Sequence, residues 1–310
     1  MWRELIRELR WFSNSRATLS LLLGAVAFAS WGAVSGITST QGAVATFHAT
    51  LRRYLERGED IEAALSAPAT IKNTHEGQLI DNALRYDLDQ AALAFTQVQP
   101  LGAIATALSL CALLAFPVVG FALGIFVATH DVKSGVIVVR WPQSGATTFG
   151  LIKPLAIMIA FVAMAAVVAA VAVPLSWMGS ELVSSQAADL EAFDVAGPTA
   201  GRVAVVAMLA VLAGCGAGAF GLLLGSITRN RSFTIAAFSV AYLLLPILGP
   251  ADPRNLLAAA GAECLYFVGQ FRPSSIGDID PVLSWGALVA STIACSAAAV
   301  IPWLARGRTH

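Results

Sequence analysis

The positions of the histidines and the absence of metal-binding and phosphate-binding motifs argue against a catalytic site in this sequence. The four histidines, at positions 48, 75, 130 and 310, all lie outside its apolar cores or at their edges. A membrane serine hydrolase needs a serine and a histidine facing each other on helices, and these histidines do not supply that arrangement. The chain contains no His-Glu-x-x-His motif, no Cys-x-x-Cys motif and no phosphate-binding Gly-x-x-x-x-Gly-Lys-Ser/Thr loop. We therefore expect no catalytic residue, no metal site and no cofactor bound directly by the chain.

The charged residues are segregated from long apolar stretches. Hydrophobic residues make up 57% of the 310 residues and charged residues only 12%, about half the share typical of a soluble domain. Six stretches lack Asp, Glu, Lys and Arg altogether, and each reaches the roughly 20 residues that cross a hydrocarbon core of about 30 Å. These stretches are 17–51, 90–130, 154–180, 203–228, 232–251 and 281–305.

This pattern predicts an all-α integral membrane protein with six transmembrane helices. Between the spans it predicts an extracytoplasmic helical hairpin, a short acidic loop and a re-entrant segment. In chain order the predicted parts are an amphipathic interfacial helix 1–16, TM1 17–40, the hairpin 41–99, TM2 101–129, a cytoplasmic loop 130–153, TM3 154–177, an outer loop 178–201, TM4 203–227, TM5 232–249, an extracytoplasmic or re-entrant segment 250–281 and TM6 282–305.

The distribution of basic residues predicts the orientation. With the N-terminus inside, the inner segments hold eleven of the 19 basic residues but only three of the 19 acidic ones, Glu4, Glu8 and Asp131. Cytoplasmic loops carry such an excess of Lys and Arg. We therefore expect a multi-pass protein of the plasma or inner membrane with both termini in the cytoplasm.

The long first outer segment has two amphipathic patterns. Pro68 and the stretch 73–77 separate them, which predicts two packed helices. The two apolar faces consist of Val44, Phe47, Leu51 and Leu55, and of Ile80, Leu84, Leu88, Ala91 and Phe95.

Two further features leave alternatives open. In the fourth span, small residues at spacings of four, three and four form a helix-packing face, which serves either contacts within the chain or a contact between two protomers. This face consists of Gly214, Gly218, Gly221 and Gly225. The apolar run 256–271 either dips into the outer leaflet as short helices or packs as an extracellular helix on the first loop. Pro117 is expected to kink the second span.

The inner loop between spans two and three carries the most informative motif. It begins His130-Asp131-Val132-Lys133-Ser134-Gly135 and continues through Pro142 to Lys153. It resembles the first cytoplasmic loop of ABC-2-type transporter permeases, in which an acidic residue precedes Ser/Arg-Gly-Thr, a short apolar stretch, Pro-x-Ser-Arg and a Lys that opens the third span. The matching positions are Asp131, Ser134, Gly135, Pro142, Ser144 and Lys153, whereas Val136 and Gly145 differ from the pattern.

The resemblance implies that this loop docks in a groove of a separate ATP-binding subunit. In such a helix-in-groove contact, apolar side chains anchor the helix and flanking charges orient it. The implied anchors are Ile137, Val139 and Trp141, and the implied orienting charges are Asp131, Lys133 and Arg140.

The same resemblance covers the ends of the chain. Family members have an amphipathic helix on the inner surface before the first span, and residues 1–14 fit this description. The apolar face is Trp2, Leu5, Ile6, Leu9 and Phe12, with Arg3, Arg7 and Arg10 directed towards lipid phosphates. The family also places short re-entrant helices between spans five and six.

The expected function is therefore that of the permease subunit of an ATP-driven exporter of a lipid, peptide or hydrophobic drug. The implied partners are two copies of an ATP-binding subunit, which carry ATP and Mg²⁺, a second permease that is identical or related, and membrane lipids, with no nucleic acid. Two alternatives stay open, an ion-coupled secondary transporter and a membrane scaffold or sensor acting through 41–99. The first is disfavoured because no span contains an internal charged residue.

Overall fold

Nearly all of the described chain is helical. The structure, a computed structural model, describes residues 2–74, 77–133, 145–191, 197–228, 230–244, 252–266 and 279–306. Its helices are α1 Trp2–Asn14, α2 Arg16–Glu56, α3 Ile61–Ser66, α4 Ala83–Val98, α5 Pro100–Leu110, α6 Phe116–Lys133, α7 Ala146–Glu191, α8 Ala200–Ile227, α9 Arg231–Leu244, α10 Pro253–Ala260 and α11 Pro281–Arg306. A π-helical turn, Cys111–Ala115, joins α5 to α6. The strands β1 Ile71–Thr74 and β2 Gly77–Ile80 pair antiparallel.

Five helical segments of the described chain are long and apolar enough to cross a membrane. They are Leu19–Glu56, Pro100–His130, Gly150–Ser184, Ala200–Ile227 and Pro281–Ile301. The expected helical, multi-pass membrane architecture is confirmed to this extent, and the short β1–β2 hairpin is an addition that was not predicted. The predicted fifth span corresponds to α9, whose 14 residues rise only about 21 Å. The remainder of that predicted span lies outside the described residues.

Two helices continue far beyond the thickness of a bilayer. The 41 residues of α2 rise about 60 Å and the 46 residues of α7 about 70 Å, against a hydrocarbon core of about 30 Å. The first span was predicted to end at residue 40, and α2 continues without interruption to Glu56. The third span was predicted to end at residue 177, and α7 continues to Glu191.

The projecting ends of α2 and α7 pack with α4 around a second hydrophobic core. Its buried residues are Val44, Phe47, Leu84, Leu88, Ala91 and Val183, with Leu51 and Phe95 packed against them. Polar contacts tie the same helices together: Thr50 Oγ1 donates to Asp87 Oδ2 at 2.6 Å and Thr40 Oγ1 to the Ala94 carbonyl at 2.8 Å. Two members of the predicted faces differ, since Leu55 is exposed and Ile80 belongs to β2.

The main core is built around a close contact between α6 and α8. A Cβ added at Gly221 would overlap the carbonyl oxygen of Phe121, and one added at Gly124 would overlap that of Gly218. Gly214 lies against Phe161 of α7, and Gly225 lies against Ala128 and Ile125 of α6. The glycine face of α8 therefore packs within the chain and is not available for a contact between protomers.

Replacing Gly221 by alanine is expected to destabilise the protein, because its methyl group must push α6 away from α8. Gly42 provides a matched control, since it is exposed in α2 and nothing lies within 4 Å of an added Cβ. Alanine at Gly42 is expected to stabilise α2 by about 0.5–1 kcal/mol through helix propensity. Thermal unfolding of the two purified variants should shift in opposite directions. Equal shifts would contradict the backbone contact.

Candidate functional site

The first candidate site lies where α1 meets the two helices that flank the 131–153 loop. We call Glu8, Trp11, Val127, His130 and Lys153 the junction. Leu5, Glu8 and Phe12 are the buried residues of α1, at a spacing that places them on one face of the helix. This face packs on α7 and α2. One acidic residue therefore points inward together with two apolar side chains.

Lys153 is the buried cation of the junction. Only 1% of the residue is exposed. Its Nζ donates a hydrogen bond to the Val127 carbonyl of α6 at 2.8 Å, and it lies 3.9 Å from Glu8 Oε1. A buried ammonium group needs an anion and hydrogen-bond acceptors, because removal from water costs several kcal/mol. Lys153 consequently joins α7 to both α6 and α1.

A second contact places α1 beside the other flank of the loop. The rings of Trp11 and His130 have centroids 4.3 Å apart and an interplanar angle of 31°. His130 stands close to the C-terminal end of α6, directly before Asp131. The N-terminal helix therefore contacts the helix that enters the loop and the helix that leaves it.

The predicted coupling residues fall into three groups in the structure. Asp131 and Lys133 belong to the last turn of α6. The predicted residues Ser134, Gly135, Ile137, Val139, Arg140, Trp141, Pro142 and Ser144 lie outside the described residues. Lys153 was predicted to belong to the surface that contacts the ATPase, and the structure places its side chain in a buried position between α1 and α6.

The interfacial helix also differs in detail from the expectation. Leu5 and Phe12 are buried against the protein, whereas Trp2 is 71% exposed and Ile6 39% exposed. The predicted apolar face is therefore divided between a protein-facing side and an outward-facing side. Arg3, Arg7 and Arg10 are all exposed, which leaves basic groups next to the outward-facing apolar side chains.

A second polar region surrounds α10, at the opposite end of the bundle helices from the junction. The carboxylate of Asp252 caps α10 by accepting from the Arg254 backbone N–H at 2.9 Å. It also accepts from Nε and Nη2 of Arg254, at 2.9 and 2.6 Å. Burial alone would raise the pKa of Asp252, but these hydrogen bonds and the guanidinium charge lower it. Because the folded-state pKa is below the ordinary value, the stabilisation is present at neutral pH and is lost as the pH falls through the lowered pKa.

The backbone after α10 is held by side chains of the long helices. Trp285 Nε1 donates to the Ala260 carbonyl at 3.1 Å, and Arg202 Nε donates to the Cys264 carbonyl at 3.3 Å. The Tyr266 backbone N–H donates to Ser109 Oγ at 3.0 Å. In the described part of this segment, α10 contacts α11, α8 and the π-helical turn.

The irregular turn before α6 is explained by Pro117. In a regular helix the Leu113 carbonyl would accept from the backbone N–H of residue 117, and proline has none. The hydroxyl of Tyr242 in α9 donates to this carbonyl instead, at 2.9 Å. The local result is a π-helical turn over Cys111–Ala115 rather than a simple kink, and α9 is attached to it.

Sequence reasoning missed Glu8, Tyr242 and the Asp252–Arg254 pair. Glu8 carried a signal, since an acidic residue lies between Leu5 and Phe12 on the apolar face of an amphipathic helix. For Tyr242, the signal was a proline inside an apolar stretch, which leaves one carbonyl in need of a donor. Asp252 and Pro253 together have the pattern of a helix N-terminus, with the cap residue followed by proline.

Comparison with protein-family models, with curated proteins and with solved structures finds no match to this chain.

Replacing Lys153 by methionine is expected to destabilise the protein by about 3–5 kcal/mol, because it leaves the carboxylate of Glu8 buried without its cation. The double variant Glu8→Gln/Lys153→Met should recover part of this loss. A matched control is Arg7→Met, which breaks the 2.9 Å pair with Glu4, in which Arg7 is 56% exposed. Such an exposed pair contributes about 0–1 kcal/mol. Thermal unfolding compares the variants, and equal effects at Lys153 and Arg7 would show that the junction is not a buried ion pair.

Replacing Tyr242 by phenylalanine is expected to cost about 1–3 kcal/mol, because the Leu113 carbonyl loses its donor inside the bundle. The control is Tyr266→Phe, since Tyr266 is also buried and the hydrogen bond that holds it uses its backbone N–H. Unfolding in the same detergent measures both variants. A harmless Tyr242→Phe would indicate that water or a backbone N–H already satisfies Leu113.

Proposed function

We propose that this chain is the transmembrane permease subunit of an ATP-driven ABC transporter. It works as an exporter of a hydrophobic or amphipathic substrate, together with a second permease and two copies of a separate ATP-binding subunit. The observation that carries the proposal is the junction, in which α1 binds both flanks of the loop that resembles the ABC-2 coupling loop. Because α1 contacts both flanks of the loop, a displacement of the loop moves α1 as well.

The chemistry and the movement are divided between the subunits in this proposal. ATP binding and hydrolysis belong to the partner subunit, and closure of the ATP-binding subunits moves the 131–153 loop. Lys153 and Glu8 then transmit the movement, since a buried ion pair keeps α1 and α7 in register. The switching is rigid-body motion of packed helices between two arrangements.

The membrane arrangement that goes with this proposal has six spans and both termini in the cytoplasm. α9 supplies the described part of the fifth span. The segment 252–266 is the re-entrant part, and its contact with Ser109 supports this assignment. Ser109 is nine residues after Pro100, so the end of the segment reaches about 14 Å along the second span. Irregular backbone is tolerated at such depth where protein surrounds it.

The test is gentle purification of the tagged chain from its native membranes, followed by identification of co-purifying proteins and an assay of ATP hydrolysis. We expect an ATPase with Walker motifs to co-purify. Gly135→Trp and Pro142→Glu should abolish its retention while leaving membrane insertion intact, because both substitutions disturb a helix that must fit a groove.

The matched control is Arg53→Glu, which changes an exposed charge at the distant end of α2 and should leave ATPase retention unchanged. A folded chain that purifies alone, without associated ATP hydrolysis, would contradict the proposal. ATPase retention that is indifferent to Gly135 and Pro142 would contradict the assignment of the loop.

A further inference from the structure

A cavity of about 410 Å³ lies inside the bundle, between α8, α9, α10 and α11. This is within the roughly 300–1,000 Å³ range of small-molecule sites. Its walls are almost entirely apolar and aromatic. Representative lining residues are Leu212 and Phe220 of α8, Phe238 and Tyr242 of α9, and Leu288 and Cys295 of α11.

The cavity exists because α9 and α11 pack on different partners. α9 packs on α6, whereas α11 packs on α7, α8 and α10, and no extensive contact joins α9 to α11 within the described residues. The α9 wall is fixed by aromatic stacking, since the rings of Phe121 and Phe238 lie 3.8 Å apart at 9°. Tyr242 is fixed through its hydrogen bond to Leu113. The site is therefore preformed, which reduces the entropic cost of binding.

Exposed apolar side chains flank the cavity-lining residues of α9 and α11 along the chain. Val240 and Leu244 of α9 are 53% and 71% exposed, and Val289 and Ile293 of α11 are 42% and 62% exposed. These side chains neighbour cavity-lining residues on the same two helices. An apolar molecule in the hydrocarbon phase can thus enter sideways without crossing a polar surface.

The electrostatics of the cavity select against a ligand with net charge. Among the described lining residues, Asp252 and Arg254 are the charged ones, and they bind each other. The net charge of the lining is therefore zero. A charged group inside would be removed from water without a counter-ion, which costs several kcal/mol.

We propose that this cavity binds a single alkyl chain, which enters between α9 and α11 and carries no net charge into the bundle. The chain belongs either to a zwitterionic bilayer phospholipid or to a free long-chain molecule such as an alcohol. This proposal concerns the cavity alone and does not depend on the presence of an ATP-binding partner.

The test uses the full-length chain in phosphatidylcholine nanodiscs and two photoreactive probes. One arm contains phosphatidylcholine with a diazirine in one acyl chain, and the other arm receives hexadecanol with a diazirine. Mass spectrometry maps the crosslinked peptides. We expect crosslinks concentrated in 212–220, 238–242 and 288–295, and the arm that gives them identifies the source of the chain.

A cavity-filling variant provides the quantitative arm. Ala241 lines the cavity, whereas Ala236 lies exposed on the same helix. Ala241→Phe should lower crosslinking about tenfold, equivalent to about 1.4 kcal/mol of affinity, while Ala236→Phe should not lower it. Crosslinks spread over exposed positions such as Leu283 and Ile301 without concentration in the cavity would overturn the proposal. The map in the unaltered chain decides this even if Ala241→Phe folds poorly.

Discussion

Several polar groups in the apolar interior of this protein find partners within the chain itself. No water in a hydrocarbon phase can satisfy them, and each unsatisfied group costs several kcal/mol. This requirement accounts for the long-range contacts that hold the bundle together. Lys153 donates to Val127, Tyr242 to Leu113 and Trp285 to Ala260. These bonds join residues that are 26, 129 and 25 positions apart in the sequence.

The serine and threonine hydroxyls satisfy the same requirement locally. Ser109, Thr129 and Ser226 each donate to a carbonyl three or four residues earlier in their own helix. These hydroxyl groups are therefore hydrogen-bonded without requiring a partner on another helix. Ser109 has a second use, because its oxygen also accepts from Tyr266 and so fixes the segment after α10. Ser109 therefore takes part in one hydrogen bond within its own helix and in one to a distant segment.

Within this framework, close backbone packing sets the positions of the helices. Gly120 and Gly124 of α6 meet the glycine face of α8, so the two backbones touch directly. Such contacts replace the hydrophobic effect, which gives little driving force between helices in lipid. The junction and the cavity involve different neighbours of this contact. In the junction α7 packs on α6, and the cavity is lined by residues of α8 and α9.

The sequence was sufficient for the apolar helices and for most of the two faces that form the second core. The helical periodicity of the apolar residues and the apolar composition predict these elements directly, as at Val44, Phe47, Leu84 and Leu88. It did not reveal where α2 and α7 end, because charge-free length marks the apolar part of a helix and a helix continues through polar residues when tertiary packing favours it. The β1–β2 hairpin was missed for a related reason: four-residue strands have too few positions to show alternation.

The same distinction between local sequence pattern and tertiary packing applies to the site residues. Lys153 could be found from its place in a motif, but not its burial, since burial depends on where α1 packs. Glu8 and Tyr242 are defined by partners 145 and 129 residues away along the chain. A single sequence does not contain that pairing. Only the odd residue in a pattern, an acid on an apolar face or a proline in a helix, points to such positions.

In the proposed transporter, a partner ATPase acts on the chain through the 131–153 loop and α1 together. Hydrogen–deuterium exchange of the chain, with and without the co-purified ATPase, tests this most directly. We expect the ATPase to slow exchange in 131–153 and also in 2–14, because the junction links the two segments. Protection confined to 41–99, or protection of the loop with no change in α1, would contradict it.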